Sequence, residues 1–157
     1  MHKRRYAAGD PGGARRVSGR YSRGLDLFPE EEAFGALYLA LSAETCIGEV
    51  LRHVTPEMLP LLNDYRLTEL SISLEKVVDC RDPRCLDLSD EDLLQELDYS
   101  LTHEISAAAY DKGFEGMLVP SATRLGDNLV LFTDNLGDGS KVEALSSRDP
   151  LLYVNRP

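Results

Sequence analysis

From Leu70 to Glu75 the chain alternates strictly: Leu70, Ile72 and Leu74 against Ser71, Ser73 and Glu75. A period of two marks a half-buried strand. The strand is expected over Arg66 to Glu75, with Val77 and Val78 extending it. A continuous apolar run from Ala36 to Leu41 predicts a short buried strand, with Tyr38 inside it. Phe114 to Val119 and Asn128 to Phe132 predict two more strands, and Lys141 to Leu145 a last short one. Between these lie segments of helical period. Ser42 suits an N-cap, and the helix from Ala43 to His53 buries Cys46, Ile47, Val50 and Leu51 on one face. Thr55-Pro56 opens a second short helix, with Pro56 at its first position. Ser89 caps an acidic helical segment reaching about Leu97, whose Asp87, Asp90, Glu91, Asp92, Glu96 and Asp98 read as a solvated face. A helix from Leu101 to Lys112 ends on Gly113, placed for a left-handed cap. Gly126-Asp127 and Gly137-Asp138-Gly139 are turn signals. Residues 9–24, with Pro11 and many Gly, Arg and Ser residues, read as an irregular loop. Helices and strands are intermixed without regular βαβ winding, so the fold class is α+β.

Length changes this picture little. The 157 residues fit one domain, 1–157, and a chain this long can bury roughly two-thirds of its extended surface. No apolar run approaches the ~20 residues of a membrane helix, and the N-terminus lacks the apolar stretch of a secretory signal. The expectation is a cytoplasmic protein with no membrane contact. Cys46, Cys80 and Cys85 form an odd set, which argues against a disulfide framework. They read as structural or incidental thiols, and no metal site is expected.

Charge adds an asymmetry. The net charge is −10, yet residues 1–24 carry Lys3, Arg4, Arg5, Arg15, Arg16, Arg20 and Arg23 against Asp10 alone, +6, leaving −16 for the remainder. An acidic body disfavours direct nucleic-acid binding. The basic segment reads as a nucleic-acid arm, a targeting peptide or part of an anion site. A removable peptide fits poorly, because candidate chemistry begins inside it.

Common catalytic signatures are absent: no phosphate loop, no dinucleotide Gly pattern, no Gly-x-Ser-x-Gly elbow. His2, His53 and His103 lack zinc-binding spacing. What remains is distributed. Gly19-Arg20-Tyr21-Ser22-Arg23-Gly24 is a loop bearing two guanidinium groups, Glu49 lies among apolar helix positions, and Pro120-Ser121 follows a strand.

The order of these blocks resembles the RES domain, a family named for its Arg, Glu and Ser residues. The matching blocks are an early Arg (Arg5, with Arg4 beside it), Gly19-Arg20-Tyr21, Ala36-Leu37-Tyr38-Leu39-Ala40 followed by Glu49, Phe114-Glu115-Gly116 leading to Pro120-Ser121, and Asn128 to Phe132. They span nearly the whole chain. Tyr21 stands where the family often has Trp or Phe. The resemblance implies a compact domain like the ADP-ribosyltransferase fold, with mixed central sheets and flanking helices. It implies the toxin of a bacterial toxin–antitoxin pair that cleaves NAD⁺ between nicotinamide and ribose. The ADP-ribose would pass to water or phosphate. A mono-ADP-ribosyltransferase acting on a protein is the alternative, and a catalytically inactive binding module is a third reading. It also implies a separate Xre-type antitoxin with a DNA-binding domain, and admits a homo-oligomer within that complex.

Given that resemblance, the residue types suit the chemistry. Guanidinium groups grip a pyrophosphate bidentately, which points to Arg20 and Arg5, with Arg23 third. An aromatic face holds the pyridinium ring, which points to Tyr38 and then Tyr21. Leaving-group departure builds positive charge on the ribose, which a carboxylate, Glu49, stabilises. Ser121 would fix Glu49 or the substrate, and Asn128 completes the NAD-binding set.

Overall fold

The computed structural model describes residues 1–9, 15–95 and 97–154; Asp10, Pro11 and Glu96 lie outside the described residues. The strands are β1 (His2–Lys3), β2 (Leu37–Ala40), β3 (Tyr65–Ser73), β4 (Val77–Asp79), β5 (Gly116–Pro120), β6 (Asp127–Leu131) and β7 (Lys141–Arg148). The α-helices are α1 (Ala43–Leu51), α2 (Asp90–Leu94), α3 (Ser100–Asp111) and α4 (Leu151–Val154). The architecture is α+β. One sheet runs β1-β3-β7, all antiparallel. The other runs β2-β6-β5-β4, antiparallel except for the β4–β5 pair.

The register of the four-stranded sheet decides which residues meet. Tyr38 pairs with Val130, and Val130 with Met117, so all three share a face. Leu39, Leu129 and Leu118 share the opposite face. On the first face Met117, Val119, Val130 and Phe132 are buried with Ala107 and Ala109 of α3. Small residues on α3 let the helix approach the sheet closely. Phe34 stacks on Tyr110 at 4.5 Å and meets Phe132 edge-on at 5.7 Å. Burying each such large side chain contributes roughly 1.5–3 kcal/mol. The second face looks across a cavity of about 710 Å³ toward Leu67, Leu70 and Ile72 of β3.

Local signals hold well. Ser42 caps α1, its hydroxyl accepting the Thr45 amide at 3.0 Å. Ser89 and Asp92 form a reciprocal capping box at α2. Gly113 takes φ +68° after α3. Four expectations change. Val77 and Val78 do not prolong the β3 strand; the chain turns after Ser73 and β4 joins the other sheet beside β5. The Ala36 to Leu41 run is not a buried central strand but an edge strand, and Tyr38 on it is 40% exposed. The acidic helix stops at Leu94, short of the expected Leu97. The segment opened by Thr55-Pro56 is a 3-10 helix, Pro56–Asp64, with Pro60 inside it.

The turn between β3 and β4 has an identifiable cause. Glu115 is 3% exposed, and its Oε2 accepts the amides of Glu75 (2.6 Å) and Lys76 (3.2 Å). Its Oε1 accepts the Ser140 hydroxyl and the Gly137 amide, both at 2.7 Å. One carboxylate therefore ties the β3–β4 turn and the loop before β7 to the start of β5. The Ser140 hydroxyl and the Gly137 amide, aided by the amides of Glu75 and Lys76, outweigh burial and hold this carboxyl down at about 2. A depressed carboxyl stabilises the fold fully above its unfolded value, about 4.3, and loses that contribution as pH falls toward 2. Glu115→Gln turns an NH₂ group toward N–H donors. It should lower the melting temperature by several degrees at pH 7, with the gap to wild type closing as the pH drops below about 4. A gap that stays constant across a thermal-melt series in acid contradicts this.

Candidate active site

Glu49 lies in the second half of α1, and the β5–β6 hairpin is bound to that helix. The Thr45 hydroxyl donates to the Leu125 carbonyl at 3.4 Å, while the Ser121 and Gly126 backbones close the loop at 2.9 Å. This brings three donors to one oxygen. Glu49 Oε1 accepts the Ser121 hydroxyl at 2.7 Å, the Asn128 amide Nδ2 at 2.9 Å and the Ala122 amide at 3.0 Å. The Ser121 hydroxyl has one proton and gives it to the carboxylate. The Thr123 hydroxyl, 2.7 Å from Ser121 Oγ, then donates to Ser121. Thr123 in turn accepts the Leu125 amide at 3.3 Å. A directed chain of hydrogen bonds therefore ends on Glu49. The other oxygen, Oε2, faces the Arg52 guanidinium at 3.8 Å, beyond hydrogen-bond reach.

Burial pushes the Glu49 carboxyl up. The hydrogen bonds from Ser121, Asn128 and Ala122, with the Arg52 charge, overcome that, and the net shift is down. Glu49 is thus an anion at neutral pH. It is suited to stabilising positive charge rather than to donating a proton.

Tyr38 and Asn128 stand on the same sheet face, because Asn128 lies two residues from Val130, the pairing partner of Tyr38. Such diagonal neighbours are about 7–8 Å apart. The Tyr38 ring is 40% exposed, but its hydroxyl is enclosed, accepting the Tyr21 amide at 2.7 Å and donating to Ser22 Oγ at 3.3 Å. Burial raises its phenol pKa, against the hydrogen bonds and the Arg20 charge. The ring is therefore neutral, anchored at one end, and shows a face. Gly19 permits the approach: a Cβ there would fall 2.7 Å from the Tyr38 hydroxyl.

Arg20 reaches away from the sheet. Its Nη1 donates to the carbonyls of Leu93 (2.8 Å) and Gln95 (2.5 Å), and its Cζ lies 4.9 Å from the Tyr99 ring centre. Those two bonds use one nitrogen. Among the described residues nothing accepts from the Nε–Nη2 edge, the edge that matches a phosphate. Arg23 stacks on Phe28 at 5.0 Å and meets Glu32 at 3.4 Å, and its buried Nε has no hydrogen-bond partner among the described residues.

Two other candidates stand apart. Tyr21 is 3% exposed in the core, with burial raising its phenol and no partner for its hydroxyl among the described residues. The exposed ring face belongs to Tyr38. Arg5 stacks on Tyr6 at 5.0 Å and Arg4 sits 4.0 Å from Asp149; among the described residues neither guanidinium bonds to the Glu49 cluster. Thr123 and the Ala122 amide were missed in the sequence. A hydroxyl two residues after a candidate Ser, in a hairpin loop, was the available signal. Among the described residues no cluster of three or more His, Cys, Asp or Glu is arranged for a metal, and no helix is long and apolar enough to cross a membrane. The three cysteines are free thiols, with Cys80 buried and Cys85 exposed.

The RES domain family model matches residues 1–153. The chain belongs to the RES family. Among solved structures, this RES chain is similar to the toxin chain of the M. tuberculosis MbcT–MbcA toxin–antitoxin complex, with TM-score 0.81 and 27% identity over 98% of this chain and 84% of that one. Among curated proteins none matches. In the RES chain described here Glu49, Ser121 and Asn128 meet on the sheet face that carries Tyr38, while Arg20, Tyr21 and the early Arg have their contacts elsewhere.

Ser121→Ala should raise the Glu49 pKa, because burial then meets two donors instead of three and the Thr123 chain is cut. A carboxyl ¹³C NMR titration reads this directly. An unchanged Glu49 pKa rules the hydrogen-bond account out.

Proposed function

We propose that this RES-domain protein is the toxin of a toxin–antitoxin pair and that it cleaves the nicotinamide–ribose bond of NAD⁺. The observation that carries the reading is Glu49. It is ionised and held by three donors on Oε1, and its Oε2, with the Arg52 guanidinium 3.8 Å away, accepts no hydrogen bond among the described residues and would face a substrate on the sheet face where Tyr38 shows its ring.

Tyr38 receives the pyridinium by stacking and cation–π attraction. The Nε–Nη2 edge of Arg20 takes the pyrophosphate. As the C–N bond breaks, its electron pair returns to the ring nitrogen and releases neutral nicotinamide. Glu49 stabilises the cationic ribose left behind, worth about 3–4 kcal/mol for a well-placed charge in an enclosed site. An oxygen of water or phosphate then attacks C1′. With water, the surplus proton leaves to solvent. Ser121, Ala122 and Asn128 keep Glu49 ionised and fixed, and no proton need move through it. NAD is the substrate, and no metal takes part.

The MbcT–MbcA likeness supports an antitoxin partner, here of Xre type, acting with this chain in the cytoplasm. DNA contact falls to that partner, consistent with the −10 charge of this chain.

Glu49→Gln should lower nicotinamide release at least about 100-fold while leaving the melting curve near wild type. Wild-type turnover by this variant refutes the mechanism. Stimulation of the wild-type rate by phosphate indicates phosphorolysis, and ADP-ribose label on a protein indicates transfer.

A further inference from the structure

One buried titratable side chain has no part in the reaction described above. His103, in the first turn of α3, is 6% exposed. Its surroundings are Gly19 and Phe28 from the loop before β2 and Tyr99, the N-cap of its own helix. The Nε2 atom lies 2.7 Å from the Gly19 carbonyl, immediately before Arg20. A carbonyl only accepts, so Nε2 carries the proton. The imidazole meets Phe28 edge-on at 5.2 Å and Tyr99 edge-on at 6.1 Å. Those two rings are the ones on which the loop guanidiniums rest: Arg23 over Phe28 at 5.0 Å, and Arg20 over Tyr99 at 4.9 Å.

One imidazole therefore touches the backbone that carries Arg20 and the rings beneath both arginines. We propose that His103 is a positioning residue for the anion grip, fixing the loop so that the free Nε–Nη2 edge of Arg20 faces the pyrophosphate. This rests on the NAD⁺ reading of the same site. Without a fixed base, a long guanidinium side chain loses its rotamer freedom only when the anion binds, and affinity falls. Histidine suits the position because it combines an N–H donor with a flat edge. Phe would keep the edges and lose the bond to Gly19; Asn would keep a donor and lose the edges. The Nε2–H tautomer and the imidazolium both donate to Gly19, so the contact needs no particular charge state.

The test uses His103→Phe, His103→Asn and Tyr99→Leu in the full chain. Calorimetry measures binding of ADP-ribose and of nicotinamide, and neither measurement needs turnover. ADP-ribose should bind about tenfold more weakly in each variant, the size expected for losing one hydrogen bond or ring support. Nicotinamide, held by Tyr38, should bind as in wild type. KM for NAD⁺ should rise with kcat within about threefold of wild type. In an Arg20→Ala background the His103 substitutions should cost little more, because the contact they remove acts through Arg20. Equal weakening of both ligands, or an undiminished His103 effect without Arg20, overturns the proposal. So does wild-type ADP-ribose affinity in Tyr99→Leu, which decides the matter even if both His103 variants fail to fold. If wild type binds ADP-ribose but consumes no NAD⁺, the cleavage reading fails while the binding comparison still judges His103. If wild type does not bind ADP-ribose, both fail.

Discussion

A carboxylate brought against a sheet from a neighbouring helix must be met by donors, or it takes up a proton. In this protein the requirement is answered at Glu49, and much of the fold follows from the answer. Asn128 has to face α1, which fixes the register of β6 on β2. Ser121 and the Ala122 amide have to reach the same oxygen, which fixes where β5 ends and how the hairpin folds over α1. The β2–β6 register that satisfies Glu49 also places Tyr38 on that face. The ring and the anion are therefore not independent features. A slip of one residue in that pairing would turn one strand over and put Asn128 and Tyr38 on opposite faces.

The chain uses the same device a second time for a different end. Glu115 accepts four hydrogen bonds against three at Glu49 and is also depressed in pKa, but both of its oxygens are taken. Among the described residues Glu49 keeps one oxygen free of hydrogen bonds, with the Arg52 guanidinium 3.8 Å away. The difference between the two carboxylates lies in that oxygen, which accepts no hydrogen bond there and faces the Arg52 charge. Burial does not mark it, since Glu115 is the more buried of the two.

Much of this was legible in the sequence where local rules decide. Ser42, Ser89 and Gly113 act within a turn or two of themselves, and their roles hold. The alternation at Leu70 to Leu74 and the apolar runs of β5 and β6 also hold. What failed depended on partners far along the chain. Val77 and Val78 continue a strand pattern, but Glu115 turns the chain just before them. Tyr38 sits in an apolar run, but the strand lies at a sheet edge. The Glu49–Ser121 pair followed from the family's ordered blocks; the Ala122 amide could not, because a backbone donor leaves no trace in residue type. Tyr99 and His103 were equally invisible, since aromatic and histidine residues near a helix start are compatible with many surroundings.

The division of charge along the chain now has a physical meaning. A basic segment on an acidic protein would ordinarily be neutralised by carboxylates. Arg20 is held differently: among the described residues its contacts are two main-chain carbonyls and an aromatic face. Those carbonyls lie at the end of α2, where orphan acceptors need partners. The early stop of the helix at Leu94 and the anchoring of Arg20 are thus one interaction. Carbonyls and rings orient a guanidinium without cancelling its full charge, as an ion pair would. An arginine anchored in this way is rigid, and still attracts an anion.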